Sequence, residues 1–261
     1  MEKHYCFNTE LSTSNWGRIH VPLASKCSMH CIYCNHSLDN NITSNKWRPG
    51  TAFEIIEGGK KICEYLKKKN ASYQGVKIIG VSGPGDPLEN MDQMRLLVEV
   101  LHDHFPDKYL CMCTNGSVYN DDVRWLLRQD ILRYITLTIN TMQTWKYPLI
   151  YRKYQSPFAK CDMLDNQLRI IKTCVDNGIK IKVNTVYQKG INEDEIERMF
   201  ARLYDEGVSC FNLLPMVNVE DGDIFDLESY EIVFNKLIIE GYPMLKKCFH
   251  CRADSCVHCG K

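Results

Sequence analysis

The chain has 261 residues, enough for one α/β domain with small extensions, and its 32 basic and 32 acidic residues cancel to a formal net charge of zero. Such a balance lacks the positive field of a nucleic-acid binder, and no apolar run reaches membrane-spanning length. The start, Met1-Glu2-Lys3-His4-Tyr5-Cys6, has no apolar signal-peptide core, so a cytoplasmic protein with no nucleic-acid and no membrane partner is expected.

In chain order, residues 1–16 are polar and irregular, and a first strand is expected near 18–23. A polar loop then runs to Pro49-Gly50, and Thr51 with Glu54 reads as a capping box for a helix through about Lys69. Val76–Val81 reads as a buried strand ending in Ser82-Gly83-Pro84-Gly85-Asp86-Pro87, and a helix near 90–104 carries Met91, Met94, Leu97, Val98 and Leu101 on one face. Tyr109–Cys113 is a strand ending in Thr114-Asn115-Gly116, 121–129 a short helix, and Tyr134–Ile139 a strand followed by a long irregular segment. A helix near 164–177 closes at Gly178. Lys180–Val186 is a strand, Asn192–Glu206 a helix, Cys210–Leu214 the last strand and Leu227–Ile239 the last long helix. Six strand-then-helix units predict a parallel sheet with helices outside, a partial (β/α)6 TIM-type barrel spanning 17–240. Cysteine-bearing extensions flank it at 1–16 and 241–261. In such a barrel the loops after the strands build the site.

Fourteen cysteines in a reducing setting point to metal or cluster ligation rather than to disulfides. Cys27, Cys31 and Cys34, spaced C-x-x-x-C-x-x-C, suit three irons of a 4Fe–4S cube and leave one iron open to a ligand. Zinc prefers paired knuckles and four ligands. Cys63, Cys161, Cys174 and Cys210 lie on or near apolar faces and read as core, and His102 and His104 as surface residues. Cys111 and Cys113 share one face of a strand and are open between core packing and a second cluster. His20 is placed to face the barrel lumen. In the tail, Cys248, Cys251, Cys256 and Cys259 form two C-x-x-C pairs that bind metal, either structural zinc or an iron–sulfur cluster joined by Cys6.

The three-cysteine spacing, with Tyr33 just before its last cysteine, resembles the signature of the radical SAM enzymes. The resemblance implies S-adenosylmethionine chelating the open iron, and reductive cleavage to a 5′-deoxyadenosyl radical. By position it implies that Gly83, Pro84, Gly85 and Asp86 receive the methionine amino group, and that Thr114 and Asn115 meet the ribose or carboxylate. Asn140 and Asn184 are further polar candidates, and Leu214 offers backbone groups to adenine. Read without the resemblance, the glycine-rich stretches are tight turns.

Further pieces resemble the NifB family, which makes the iron–sulfur precursor of the nitrogenase cofactor. They are His4-x-Cys6-Phe7, Gly17-Arg18-Ile19-His20-Val21-Pro22, Arg48-Pro49-Gly50, Gly83-Pro84-Gly85-Asp86-Pro87-Leu88, Lys182-Val183-Asn184-Thr185-Val186 and Cys248-x-x-Cys251-Arg252-Ala253-Asp254. That similarity implies auxiliary iron–sulfur clusters, one held by Cys6, Cys248 and Cys251 and another served by Cys111. It also implies a reductant such as ferredoxin or flavodoxin, and iron–sulfur cluster donor or acceptor proteins. Two positions depart from the family: Thr13-Ser14-Asn15 stand where it has histidine, and Lys46-Trp47 where it has an acid. The readings are therefore a NifB-like radical SAM enzyme in metallocofactor assembly, a NifB-like paralogue with another radical reaction, or a non-catalytic iron–sulfur or zinc scaffold. No catalytic side chain is singled out.

Overall fold

The computed structural model describes residues 7, 18–34, 54–73, 75–156, 162–216 and 226–245. Strands β1 (Arg18–His20), β2 (Ile78–Val81), β3 (Tyr109–Thr114), β4 (Leu132–Thr138), β5 (Lys180–Tyr187) and β6 (Cys210–Pro215) pair in chain order, and every pair is parallel. Each parallel step needs a crossover, supplied by α1 (Gly59–Ser72), α2 (Met91–His104), α3 (Asp121–Leu126), α4 (Tyr147–Ile150), α5 (Met163–Asp176) and α6 (Ile196–Asp205). The last helix, α7 (Leu227–Ile239), follows β6. β1 and β6 end the sheet unpaired with each other, so the expected partial barrel stands open.

Strand alternation divides the residues between two environments. Ile19, Ile79, Leu110, Met112, Ile135, Leu137, Ile181, Val183, Phe211 and Leu213 join the helices in the main core. The opposite, inner face starts apolar around Ile78, Cys111 and Tyr134, with Phe7 packed on it, and becomes polar toward the strand ends through Thr136, Lys182, Asn184 and Asn212. At the β6 edge, Met244 bridges Phe211, so residues 242–245 cover part of that strand. Among the described residues no helix is long and apolar enough to cross a membrane.

Three element boundaries differ from the sequence reading. The helix expected from Thr51 starts at Gly59, and Thr51 lies outside the described residues. Ile56 donates its N–H to Pro22 O at 3.0 Å, and Gly58, at φ 84, donates to Gln93 Oε1, so this stretch is tied to the site loops instead of coiling. The helix expected from Asn192 starts at Ile196, because the buried Asn192 amide bridges Asn140 O and Val186 O in a turn. The segment read as irregular after β4 holds α4 and two 3-10 turns, Thr144–Lys146 and Arg152–Gln155. Gly178, at φ 69, closes α5 as expected.

Candidate cluster and cofactor site

The loop that leaves β1 carries Cys27, Cys31 and Cys34 and is clamped from two sides. On one side it meets the β2 loop. Ala24 bridges Pro84 in parallel fashion, Gly85 N–H donates to Ala24 O at 2.7 Å, and Asp86 N–H donates to Lys26 O at 2.8 Å. A Cβ on Gly85 would stand 2.3 Å from Lys26 O, so only glycine lets the two backbones meet. Just beyond, Asn90 Oδ1 accepts from the backbone N–H groups of Ser25 and Lys26, and its Nδ2 donates to Lys26 O. Glu89 accepts from Ser28 N–H at 2.9 and 3.0 Å and from the Ser28 hydroxyl. Buried backbone donors of a loop are thus met by side chains rather than by a ladder.

On the other side stands the segment after β4. Cys31 bridges Tyr151, Ile32 N–H donates to Ile150 O, and Arg152 N–H donates to His30 O, with His30 in the left-handed region at φ 49. Tyr147, Ile150, Tyr151, Tyr154, Met29 and Met163 form a second apolar cluster against which Cys27, Cys31 and Tyr33 pack. Lys146, buried, holds this segment to the β5 loop through Asp194 and Glu195, and Glu195 also accepts from Thr141 and from Met142 N–H.

The thiols suit a cluster in their chemistry. Cys27 and Cys31 are half-buried and Cys34 is exposed. Burial pushes the Cys31 thiol up to about 12, helped by the neighbouring Cys34, and pushes Cys27 higher still, helped by Asp86. A cationic centre would displace the protons of such crowded thiols and bind them as thiolates. Donors for sulfur are in place: Met29 N–H and Asn115 Nδ2 (3.6 Å) for Cys27, and the Tyr33 hydroxyl for Cys31. Among the described residues no three His, Cys, Asp or Glu side chains converge on a single metal ion. Three cysteines with no fourth cysteine in this loop suit a cluster that keeps one iron open better than a four-ligand structural zinc.

The sequence-derived cofactor residues are brought to this loop, but several face the chain rather than open space. Asp86, 4% exposed, accepts from Leu88 N–H, the Thr114 hydroxyl and Asn115 N–H, so its carboxylate joins the β2 and β3 loops instead of standing ready for an ammonium group. The Thr114 hydroxyl, between Asp86 and Gly116 N–H, is likewise engaged. Gly85, read as an approach point for a ligand, is filled by Lys26; Gly83 and Pro84 lie beside it, with Pro84 on Ala24. Asn115 does face the cysteine loop through its amide. Asn140 is a brace: its Nδ2 donates to the hydroxyls of Tyr33 (2.6 Å) and Tyr151 (3.1 Å), and its Oδ1 accepts from Val186 N–H. Asn184 accepts from Asn212 in the lumen, and Leu214 is buried on β6. Cys111 lies deep against Ile78 and Tyr134. Cys6, Cys248, Cys251, Cys256 and Cys259 lie outside the described residues, as do Thr13–Asn15 and Lys46.

Sequence reasoning missed Glu89, Asn90 and the Tyr151 wall. Tyr147, Tyr151 and Tyr154 stand at i, i+4 and i+7, a helical face that was there to be seen. It also missed the lumen pair Arg18 and Lys182. Arg18 lies across Gly80, where a Cβ would be 2.7 Å from its Cδ, and reaches Ser82 Oγ at 3.3 Å and Cys113 Sγ at 4.0 Å. His20 joins it through Ser82, at 3.3 Å, and Lys182 stands over the Phe7 ring.

Comparison with known proteins bears on this arrangement. The sequence profile of the Radical SAM superfamily matches residues 21–203. The FeMo cofactor biosynthesis protein NifB of Chlorobaculum tepidum is 27% identical over 98% of this chain and 61% of its own length. The protein of that name from Klebsiella pneumoniae is 27% identical over 97% of this chain and 56% of its own. The one from Methanocaldococcus infernus is 27% identical over 98% and 85%. The chain thus spans less than two thirds of the first two relatives. Among solved structures, Streptococcus suis SuiB bound to S-adenosylmethionine superposes with a TM-score of 0.62 at 16% identity, over 90% of this chain and 51% of that one. Escherichia coli HemN, a coproporphyrinogen III oxidase, gives 0.51 at 12% identity, over 88% and 53%. Both likenesses speak for the fold.

Proposed function

The chain belongs to the radical SAM superfamily, and from that membership we propose that it cleaves S-adenosylmethionine reductively at a 4Fe–4S cluster held by Cys27, Cys31 and Cys34. We further propose that it acts, as a NifB-like enzyme, on iron–sulfur clusters in the assembly of a nitrogenase-type metallocofactor. When bound, cluster and S-adenosylmethionine together supply an electron and a 5′-deoxyadenosyl radical. The observation that carries the reading is the cysteine loop itself, whose backbone is held by the β2 loop on one side and the Tyr151 wall on the other, with Cys27 and Cys31 packed on that wall. The NifB-named relatives, matched over almost the whole chain, support the choice of substrate class.

The chain's own residues have definable tasks in this reading. Glu89 and Asn90 fix the backbone of the loop before and after Cys27, so the ligands need little rearrangement on loading. Asn115 and Tyr33 donate toward Cys27 and Cys31 and set the electron affinity of whatever those sulfurs bind. The inner face of the sheet carries the basic side chains Arg18, His20 and Lys182, and none of the six strands contains an aspartate or glutamate. Such a lining favours an anionic guest, as an iron–sulfide cluster with thiolate ligands is.

The test is anaerobic reconstitution, an iron count, reduction, and assay for 5′-deoxyadenosine after adding S-adenosylmethionine. Cys27→Ala is expected to abolish its formation, and intact cleavage in that variant would refute the assignment. Methyl-labelled S-adenosylmethionine then addresses the substrate. Label in a protein-bound iron cluster supports cofactor assembly; deoxyadenosine without such label assigns the chain to another radical reaction.

A further inference from the structure

Asn140 lies fully buried just past the end of β4, and its amide has only one possible orientation. Oδ1 accepts from Val186 N–H at 2.9 Å. A backbone N–H can only donate, so the oxygen must face β5 and the nitrogen must face the other way. The backbone around it is pinned as well: Asn140 O accepts from Asn192 Nδ2 at 2.8 Å, and Ile139 O accepts from the Thr185 hydroxyl at 2.6 Å. Nδ2 carries two hydrogens, and two phenol oxygens receive them, Tyr33 at 2.6 Å and Tyr151 at 3.1 Å.

A phenol oxygen that accepts from an amide keeps its own hydrogen to donate elsewhere. For Tyr33 that direction is Cys31. Tyr33 packs with Cys31 on the Tyr151 wall. Burial raises the Cys31 thiol, and the Tyr33 hydroxyl, donating to the sulfur, works against it. Val186 N–H, the Asn140 amide and the Tyr33 hydroxyl therefore form one chain of donors that all point toward the Cys31 sulfur. Hydrogen bonds to a ligating sulfur favour the more negative, reduced form of a cluster.

We propose that Asn140 is a positioning residue that, by donating to Tyr33, aims the Tyr33 hydroxyl at Cys31 and so raises the electron affinity of the cluster held there. The proposal rests on the reading that Cys27, Cys31 and Cys34 hold a cluster. It goes beyond the Tyr33 contact, because the same tyrosine with its hydrogen turned away would leave the sulfur untouched.

The experiment reads the cluster rather than turnover. Reconstituted wild type, Tyr33→Phe, Asn140→Asp, Asn140→Ala and the double variant Tyr33→Phe with Asn140→Ala are titrated by electron paramagnetic resonance without S-adenosylmethionine. Their reduced clusters are then compared by electron–nuclear double resonance before and after exchange into deuterated water. Tyr33→Phe is expected to lose one exchangeable coupled proton and about tenfold in electron affinity, ~59 mV for a one-electron couple. Asn140→Asp keeps an oxygen for Val186 N–H but offers Tyr33 an acceptor, so the coupled proton should vanish although the tyrosine remains. Asn140→Ala, which adds no charge, should lower the midpoint in the wild-type background and leave it unchanged in the Tyr33→Phe background; it also serves if the aspartate variant does not fold. A wild-type midpoint in Tyr33→Phe, a coupled proton retained in Asn140→Asp, or equal shifts by Asn140→Ala in both backgrounds would overturn the proposal and leave the cluster reading standing. A wild type that shows no iron–sulfur signal after reconstitution would refute the cluster reading, and the proposal with it.

Discussion

Gly85→Ala is the sharpest test of how the cysteine loop is held. The added methyl would sit 2.3 Å from Lys26 O and 2.7 Å from both Lys26 C and N, all backbone atoms that no rotamer change can move. Ordinary contacts lie near 3.5 Å, so the two strands of loop must part by roughly 1 Å. Overpacking of this kind costs about 1–3 kcal/mol. Parting the loops also weakens Gly85 N–H to Ala24 O (2.7 Å) and Asp86 N–H to Lys26 O (2.8 Å), each worth about 1 kcal/mol net. The sum, about 3–5 kcal/mol, lowers the melting temperature of a domain this size by about 6–20 °C. Gly190→Ala is the control. Its φ is 73 with nothing within 4 Å of the new Cβ, so it carries only the left-handed penalty of about 1–2 kcal/mol. Melting both cluster-free proteins by circular dichroism, and counting iron after reconstitution, checks the reasoning. A Gly85→Ala protein that melts no lower than Gly190→Ala and loads iron like wild type would refute it.

The other predictions concern the braces and the sulfurs. Asn140→Ala leaves the Tyr33 and Tyr151 hydroxyls and Val186 N–H without their shared partner, and denaturant titration should read a loss of about 2–4 kcal/mol. Asn115→Leu removes the amide facing Cys27, so the reconstituted cluster should titrate at a more negative potential by electron paramagnetic resonance; an unchanged midpoint would exclude the amide as a tuning group. Burial holds the Cys31 thiol up to about 12 and Cys27 higher, so the cluster-free site favours protons. Metal must displace them, and iron loading should therefore strengthen as pH rises below that range, with proton release measurable in weakly buffered solution.

What could be read from the sequence divides along a physical line. The six units were legible because alternation and punctuation are local: Ile78–Val81 and Lys180–Tyr187 announce strands, and Gly178 and Gly207 announce helix ends. The cysteine loop after β1 was legible because the C-x-x-x-C-x-x-C spacing is local and written in the chain. The roles of Asp86, Thr114 and Gly85 were not, since each depends on what another loop brings opposite it. A carboxylate in a glycine-rich turn looks the same whether an ammonium ion or Thr114 and Asn115 will occupy it. Likewise Gly85 reads as room for a ligand until Lys26 is seen to fill that room. The Thr51 capping box failed for a related reason: Ile56 and Gly58 find partners in Pro22 and Gln93, and those tertiary bonds outweigh a local helix signal.

These corrections change what the site residues are for. Asp86, Glu89, Asn90 and Asn140 are the polar side chains that fix the loop, and they act on each other and on backbone rather than on open space. The thiols and Asn115 face one another in the cysteine loop, and Arg18, His20 and Lys182 line the inner face of the sheet. A site built this way separates holding from reacting. Substitutions in the first group should then show as lower stability and iron content, and those in the lumen as altered substrate handling on a normally loaded cluster. Arg18→Gln that loads iron and cleaves S-adenosylmethionine like wild type, but leaves any guest cluster unprocessed, is the pattern this division requires; iron loss in Arg18→Gln would place Arg18 in the holding group instead.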